Sequence, residues 1–489
     1  MTKTSLATTL FATGAAAILA GCAVGPDYSR PEAPTPKAFK EDVGWKVAQP
    51  QDAALRRDWW RMFDDPQLDA LIDQIDVSNQ NVRLAEAQWR QAVGVVRQAR
   101  AALFPTMSLN NADTRSRSPS LANAPVTSTA AVNVYSLSLN ATWAPDFWGG
   151  ARRVLEGDVA NAQASEADVA NARLLAQAQL ALDYFQLRTV DAQRQLLADT
   201  AAAYTKTLEL TRNRYAAGVA AKVEVVTAET QLKSTQAQAI DLGVQRAQLE
   251  HAIAILTGKP PSDLAVEPLQ ADTAIPAIPL EIPSELLQRR PDIASAERKM
   301  AVANAQIGAA TAAYYPSITF SGAYGYKSSI WSDLFDAPAR FWSIGAAIGE
   351  TIFDAGVRGA VVDQARAGYD ANVAGYRQAV LTAFQQVEDN LAALRILEEE
   401  AAAQEDAVKA ARESTELTVN QYKAGTVSYL NVIIIQAAQF NNEAAAVRIQ
   451  GQRLAAAVAL IQALGGGWDA SDLAEADPPA ARSSTSATR

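Results

Sequence analysis

The chain has 489 residues, and its 43 Lys and Arg against 53 Asp and Glu give a net charge of −10. That balance argues against a nucleic-acid partner, because neutralising phosphates needs clustered Lys and Arg. One histidine and one cysteine leave almost no material for metal or nucleophilic chemistry.

The chain opens on a short, positively charged start, Met1 to Lys3, followed by an apolar stretch from Leu6 to Ala20 of signal-peptide length. The stretch ends in Leu19-Ala20-Gly21-Cys22, which resembles the lipobox of bacterial lipoproteins. The resemblance implies that a signal peptide over residues 1–21 is cut and that Cys22 then carries N-acyl and S-diacylglycerol groups, palmitate among them. Ala at position 23, where Asp would mark inner-membrane retention, implies sorting to the outer membrane. An ordinary secretory signal with a chance cysteine is the plainer alternative. Several acyl chains at ~0.8 kcal/mol per buried CH₂ make a stable anchor. No later segment reaches the ~18 consecutive apolar residues of a transmembrane helix. If the chain crosses a membrane, it does so with strands.

Residues 22–57, rich in Pro and polar side chains, read as an extended arm. Order begins at Trp59-Trp60-Arg61-Met62-Phe63, and Asp64-Asp65-Pro66 opens a short helix. A second helix runs from about Asn79 to Leu103 and is stopped by Phe104-Pro105. The period then changes to two. Thr106, Ser108 and Asn110 alternate with Met107 and Leu109. Across the loop Ser116 to Thr129, Tyr135, Leu137, Leu139, Ala141 and Trp143 alternate with Ser136, Ser138, Asn140 and Thr142. A long helix from Gly150 to Ala217 follows, about 68 residues or ~100 Å; a tight turn and a returning helix over about 221–257 complete the unit.

The order then repeats. Phe147-Trp148-Gly149-Gly150-Ala151-Arg152-Arg153 answers to Phe353-Asp354-Ala355-Gly356-Val357-Arg358-Gly359, Arg214-Tyr215-Ala216-Ala217-Gly218-Val219 to Gln421-Tyr422-Lys423-Ala424-Gly425-Thr426, and Phe104-Pro105 to Tyr315-Pro316. The offsets, about 206 to 211 residues, are far longer than a solenoid period. The second half has a helix over 291–315, strands carrying Ile318, Phe320, Tyr324 and Tyr326 and then Trp342, Ile344, Ala346 and Ile348, a long helix from Val357 to Ala424, and a return over about 427–464. In each half, the short and returning helices placed end to end match the long one. In the second long helix Val380, Val387, Leu394, Ala401 and Val408 recur every seventh residue, with Phe384 and Leu391 as companions; a two-stranded coiled coil explains these heptads equally well but does not explain the strands.

A soluble sheet with one wet face alternates as these strands do. Aromatic clusters at both strand ends favour a bilayer instead: Trp143, Phe147, Trp148, Tyr314, Tyr315 and Phe353 at one level, Trp331, Phe335, Phe341 and Trp342 at the other. Four strands cannot close a barrel, and eight fill their own interior. Twelve strands from a homotrimer are the smallest closed solution with an odd number of subunits and an open lumen.

Four blocks in order carry a further resemblance: Gly21-Cys22-Ala23-Val24-Gly25-Pro26-Asp27-Tyr28, Trp59-Trp60-Arg61-Met62-Phe63-Asp64-Asp65-Pro66, Arg289-Arg290-Pro291-Asp292-Ile293 with Ala296-Glu297-Arg298, and Tyr422 through Leu430. The chain resembles the TolC-like outer-membrane efflux factors, in the lipoprotein (NodT-type) branch that serves resistance-nodulation-division pumps. The resemblance covers nearly the whole mature chain and fails only after Trp468. It implies a mainly α fold with a transmembrane β part: a trimeric 12-stranded β-barrel on a long α-helical barrel. The first TolC-like repeat would cover 58–262, with strands at about 104–117 and 131–145. The second would cover 263–468, with strands at about 316–328 and 341–353, ahead of a flexible tail over 469–489. The implied protein is a lipid-anchored outer-membrane conduit for small molecules such as drugs or other toxic compounds, with a periplasmic tunnel. It has no enzymatic step and no cofactor or metal. Its implied partners are a periplasmic membrane-fusion adaptor and an inner-membrane transporter of the resistance-nodulation-division class.

In such proteins the helix turns meet the adaptor, which makes Gly218, Val219, Gly425 and Thr426 the contact candidates; glycines that merely end helices are the plainer reading. Just past the second turn comes a gate, and Leu430, Asn431 and Ile434 stand there. Asn431 and Ile434 occupy places where relatives often carry Asp, and Glu224, at the equivalent of Asn431 in the first half, is the candidate for the missing charge. The constriction expected here is more apolar and less cation-binding. The competing functions are the exit duct of a type I protein secretion system, a pore-free periplasmic coiled coil, and an enzyme. For the last, His251 reads as a packed or capping residue, and Asp64, Asp65 and the run Glu398-Glu399-Glu400 read as helix-start or solvated acids.

Overall fold

The structure is a computed structural model that describes residues 23–36, 38–41, 57–117, 130–268, 274–278 and 283–473. The expected leader 1–21, the lipidation residue Cys22 and the tail beyond residue 473 lie outside the described residues. After a 3₁₀ turn at Trp59–Phe63, the elements are α1 (Pro66–Ile72), α2 (Ile75–Ser78), α3 (Gln80–Ala101), β1 (Thr106–Ser116), β2 (Val132–Trp143), α4 (Gly150–Ala216) and α5 (Lys222–Leu256). Then come α6 (Pro283–Arg289), α7 (Pro291–Ala312), β3 (Ser317–Ser328), β4 (Arg340–Gly349), α8 (Val357–Lys423) and α9 (Tyr429–Ala463). The duplication is exact in helix length: α4 and α8 have 67 residues each, α5 and α9 have 35 each, and α3 and α7 have 22 each. Among the described residues no helix is long and apolar enough to cross a membrane.

The chain forms two compact units. The first contains the described parts of Met1–Pro31, Arg90–Ala164 and Ala296–Tyr376, and its centre is one antiparallel sheet in the order β1-β2-β3-β4. Strand β4 stops at Gly349, short of residue 353, where the sequence suggested its end. The alternation of large and small side chains is lost at Glu350-Thr351.

The second unit contains the described parts of Glu32–Trp89, Ser165–Ser295 and Arg377–Arg489. Its aromatic nucleus explains the Trp59–Pro66 block. Trp59, Trp60 and Phe63 are buried, with the Phe63 ring tilted against that of Phe185 of α4 at 4.8 Å. Asp65 caps α1, accepting from the Gln67 and Leu68 amides at 3.0 and 3.2 Å, and its other oxygen accepts from the Tyr184 hydroxyl at 2.7 Å. The expected heptad of α8 is the face it buries: Val380, Val387 and Leu391 are fully buried, and Phe384, Leu394 and Val408 nearly so.

The ends of the shorter helices meet at two joints built alike. The side chain of Asn79, just before α3, donates to the Leu256 carbonyl at the end of α5 at 2.8 Å. Arg290, just before α7, donates to the Ala463 carbonyl at the end of α9 at 2.9 Å. Each bond satisfies a helix-end carbonyl that has no partner within its own helix. Arg290 also clasps Asp292 with two bonds, at 3.0 and 2.7 Å, so the Arg-Pro-Asp block is a joint and not a site.

Equivalent arginines of the two long helices hold the connecting chain. Arg188 of α4 donates to the Glu267 carbonyl at 2.7 Å, while Arg395 of α8 binds the Glu41 carboxylate at 2.8 Å. The arm is fixed further by Glu388, which accepts from the Lys40 and Glu41 amides at 2.7 and 3.0 Å, and by Phe39 packed on Phe384.

Candidate functional site

Two regions carry the features that a conduit needs: the faces of the sheet, in the first unit, and the helix turns, in the second. In the sheet the register lines up Leu109, Leu139, Tyr324 and Trp342 across all four strands. The next row on that face is Met107, Ala141, Gly322 and Ile344. The large side chains of these rows are exposed, Ile344 to 83% and Trp342 to 72%. The opposite face has Ser108, Asn140, Ala323 and Ser343 in one row and Thr106, Thr142, Ser321 and Gly345 in another. One face therefore suits hydrocarbon and the other water.

Aromatic pairs flank both ends of the sheet. At the helix end Trp148 stacks on Tyr315 at 5.0 Å and donates from its indole to the Pro316 carbonyl at 2.8 Å. Trp143 approaches Phe320 at 6.2 Å and donates to the Leu103 carbonyl at 3.0 Å. At the far end Tyr135 meets Trp331 at 5.4 Å and Tyr326 meets Phe335 at 5.6 Å. Phe341, expected in the far cluster, pairs with Gly325 and falls in the polar-face set; the side-chain period of two puts it opposite its neighbour Trp342.

At the turns, Gly218 and Gly425 sit in the left-handed region, at φ +73° and +79°. Val219 N donates to the Arg214 carbonyl and Gly218 N to that of Tyr215, both at 2.9 Å; Thr426 N and Gly425 N repeat this to Gln421 and Tyr422 at 3.1 and 3.0 Å. Both turns are thus Schellman caps, in which a residue without Cβ takes the left-handed position at least cost. Gly218, Val219, Gly425 and Thr426 are all exposed, and nothing lies within 4 Å of a Cβ built on Gly218.

Beneath the turns the two repeats interlock. Tyr422 and Tyr429 are buried with Tyr204, Leu208, Ala228, Leu232 and Val432. The Tyr422 hydroxyl donates to Glu224 at 3.3 Å. Arg214 donates to the Tyr422 carbonyl at 2.9 Å and lies 4.7 Å from its ring centroid. Burial holds the phenols of Tyr422 and Tyr204 above their ordinary pKa, which keeps Tyr422 protonated as the donor to Glu224.

Of the gate candidates, Leu430 is 63% exposed and Ile434 55%, and Asn431 is also exposed. Glu224 is half-buried and held by Tyr422 of the other repeat. The sequence reading missed Tyr204, Arg214 and Tyr422 as a group, because each is a single polar residue in a long helix and only folding brings them together. It also passed over Val223 and Val226, which extend the exposed apolar surface from Val219 along the first turn of α5. His251, expected to be packed or to cap α5, is exposed on it; the helix buries Ile253 and Ala254 instead.

A family model described as outer membrane efflux protein matches residues 71–259 and 282–466. The chain is 33% identical over 475 residues to the probable efflux pump outer membrane protein TtgC of Pseudomonas putida, covering 96% of each chain. It is 30% identical over 443 residues to the pyoverdine export outer membrane protein OpmQ of Pseudomonas aeruginosa, covering 89% of this chain and 93% of that one. Among solved structures, the outer-membrane channel OprN superposes with a TM-score of 0.86 at 29% identity, covering 91% of this chain and all of that one.

Proposed function

The chain belongs to the outer membrane efflux protein family, and from that premise we propose that it is the outer-membrane channel of a tripartite efflux system, passing small toxic molecules to the exterior. The observation that carries the reading is the four-stranded sheet whose one face is apolar and exposed and whose other face is polar. Among the described residues the outer strands β1 and β4 each have one edge unpaired. Open edges demand strand partners, and three copies joined edge to edge make a closed wall of twelve strands, wide enough for a lumen. The chain itself performs no chemical step; it is a gated duct.

In this reading Cys22 carries the lipid that anchors each copy to the outer membrane. The turns at Gly218-Val219 and Gly425-Thr426 receive a periplasmic adaptor, which links the duct to an inner-membrane pump of the resistance-nodulation-division class. Leu430 and Ile434 form an apolar constriction beside Asn431. The exposed valines and small residues of the turns favour a partner that docks by apolar packing in a shallow groove. Glu224, engaged by Tyr422, helps hold the two repeats together at the gate.

Purified protein in planar bilayers tests the conduit directly. Discrete conductance and a native mass of three chains are expected; a stable monomer with no conductance would overturn the reading. Drug susceptibility of a deletion strain, complemented with the intact chain, separates a pump duct from a protein-secretion duct: restored resistance supports the former, and restored protein export without resistance the latter.

A further inference from the structure

The first described residues of the chain are held more tightly than a surface tether requires. Val24 N donates to the Trp148 carbonyl at 3.1 Å. Arg153, in the first turn of α4 and only 4% exposed, reaches across the segment: its Nε donates to the Val24 carbonyl at 3.2 Å, its Nη2 to the Gly25 carbonyl at 3.3 Å and to Asp27 at 2.8 Å, and its Nη1 to Glu156 at 2.8 Å. Asn304 of α7 donates to the Pro26 carbonyl at 2.9 Å. The Tyr28 hydroxyl donates to Glu297 at 2.7 Å, and Arg30 donates to the buried Tyr376 hydroxyl at 2.9 Å.

Three glycines make room for this seat. Gly25, at φ +99°, lies with its backbone against that of Gly308. A Cβ on Gly308 would meet the Arg153 side chain at 2.8 Å, and one on Gly149, at φ +81°, would meet Ala23 at 2.5 Å. Among the described residues the other repeat has no such seat. In the register of the two long helices Ala360 stands where Arg153 does, and in that of the 22-residue helices Arg97 stands where Gly308 does. The two repeats agree closely in helix length and in their joints, yet they differ where the one N-terminal segment is held.

We propose that residues 23–30 form a clasped stalk, with Arg153 as its positioning residue, that fixes the lipid on Cys22 at one level of the sheet. The proposal rests on the lipid-anchor reading given above. The first hydrogen-bonded residue of the clasp, Val24, comes two residues after the anchoring cysteine, beside the Trp148–Tyr315 stack, where an interfacial aromatic pair would sit at the headgroups. A guanidinium satisfied by two carbonyls and two carboxylates is rigid in a way that a solvated tether is not. The anchor therefore sets the depth and rotation of the sheet as it enters the bilayer, beyond keeping the protein at the membrane.

The test uses the full-length chain in outer-membrane vesicles, with the fraction of protein whose sheet resists proteinase K as the readout. Arg153→Met removes the clasp; a Gly-Ser-Gly insertion between Cys22 and Ala23 leaves the clasp intact and uncouples the lipid from it. Each is expected to lower the protected fraction at least threefold in the lipidated chain. In an unlipidated background, Cys22→Ser behind a non-lipoprotein signal, Arg153→Met should cause no further loss. Equal losses in both backgrounds, or a harmless insertion, would overturn the proposal and leave Arg153 a stabilising residue only. Intact mass of the mature chain reads the anchor separately: a Cys22 without lipid overturns the anchor reading and this proposal with it, whereas lipidated protein with equal losses overturns the proposal alone.

Discussion

The backbone carbonyl of Arg289 fills the space that a Cβ on Gly465 would need, and the carbonyl of Ser78 does the same to Gly258. Both glycines have positive φ, +96° and +70°, and both follow the end of a 35-residue helix where a 22-residue helix begins beside it. These are the two copies of one joint. The backbone passes there so closely that only hydrogen fits.

The joint makes a graded prediction for alanine. Gly465→Ala and Gly258→Ala combine left-handed strain, about 1–2 kcal/mol, with a clash against backbone that has no flexible end to move, a further 1–3 kcal/mol or so. Gly218→Ala at the turn meets open space and should cost only the strain. Thermal melting of the purified proteins should rank the two joint variants well below the turn variant. Equal melting temperatures for all three would show that the close approach is not real.

Neighbouring residues of β4 should respond oppositely to charge. Ile344→Arg puts a guanidinium on the apolar face, at a cost of about 2–4 kcal/mol near the bilayer midplane, and should sharply reduce membrane-inserted protein. Ser343→Arg faces the polar side; it should insert normally and shift the ion selectivity of the channel. Normal insertion of Ile344→Arg would mean that this face does not meet lipid.

The gate reading predicts that Leu430→Ala or Ile434→Ala raises leak of bulky compounds across the outer membrane. Arg214→Ala should do so as well, since it removes the bond to the Tyr422 carbonyl and the cation–ring contact beneath the turns, each worth about 1 kcal/mol. Uptake of a large antibiotic by cells lacking the pump is the measurement. Unchanged uptake in both apolar variants removes Leu430 and Ile434 from the constriction.

Acid should loosen the arm where it meets α8. The Arg395 side chain holds the Glu41 carboxyl below its ordinary pKa. A carboxylate with a depressed folded pKa contributes stability above the unfolded value, about 4.3, and loses that contribution as pH falls through the folded value. Hydrogen exchange at residues 38–41 should therefore be slow at pH 7 and faster at pH 3, after correction for the intrinsic rate. Glu41→Gln, which keeps the Glu388 bonds to the Lys40 and Glu41 amides, should exchange faster than the parent at pH 7. Identical protection in Glu41→Gln and the parent at pH 7 would count against the ion pair as the fastening.

The sequence alone determined the elements and their repetition. Periods of two and of seven, the Pro-stopped short helices and the Gly-marked turns are local signals, because each reflects what a short stretch of backbone must bury or how it must bend. Hence the strands, the long helices and the left-handed turn glycines Gly218 and Gly425 were legible from residues a few positions apart. What only the tertiary structure decided are the meetings of residues far apart in the chain: Asn79 with Leu256, Tyr422 with Arg214 and Glu224, and Arg153 with the stalk at Val24–Asp27. No periodicity encodes these, since each meeting rests on a single polar side chain, and several of the partners are backbone carbonyls that carry no sequence signal. Phe341 and His251 show the same limit in reverse, because which face a single aromatic or imidazole takes depends on register and on the helix packed beside it, and those are set only when the chain closes on itself.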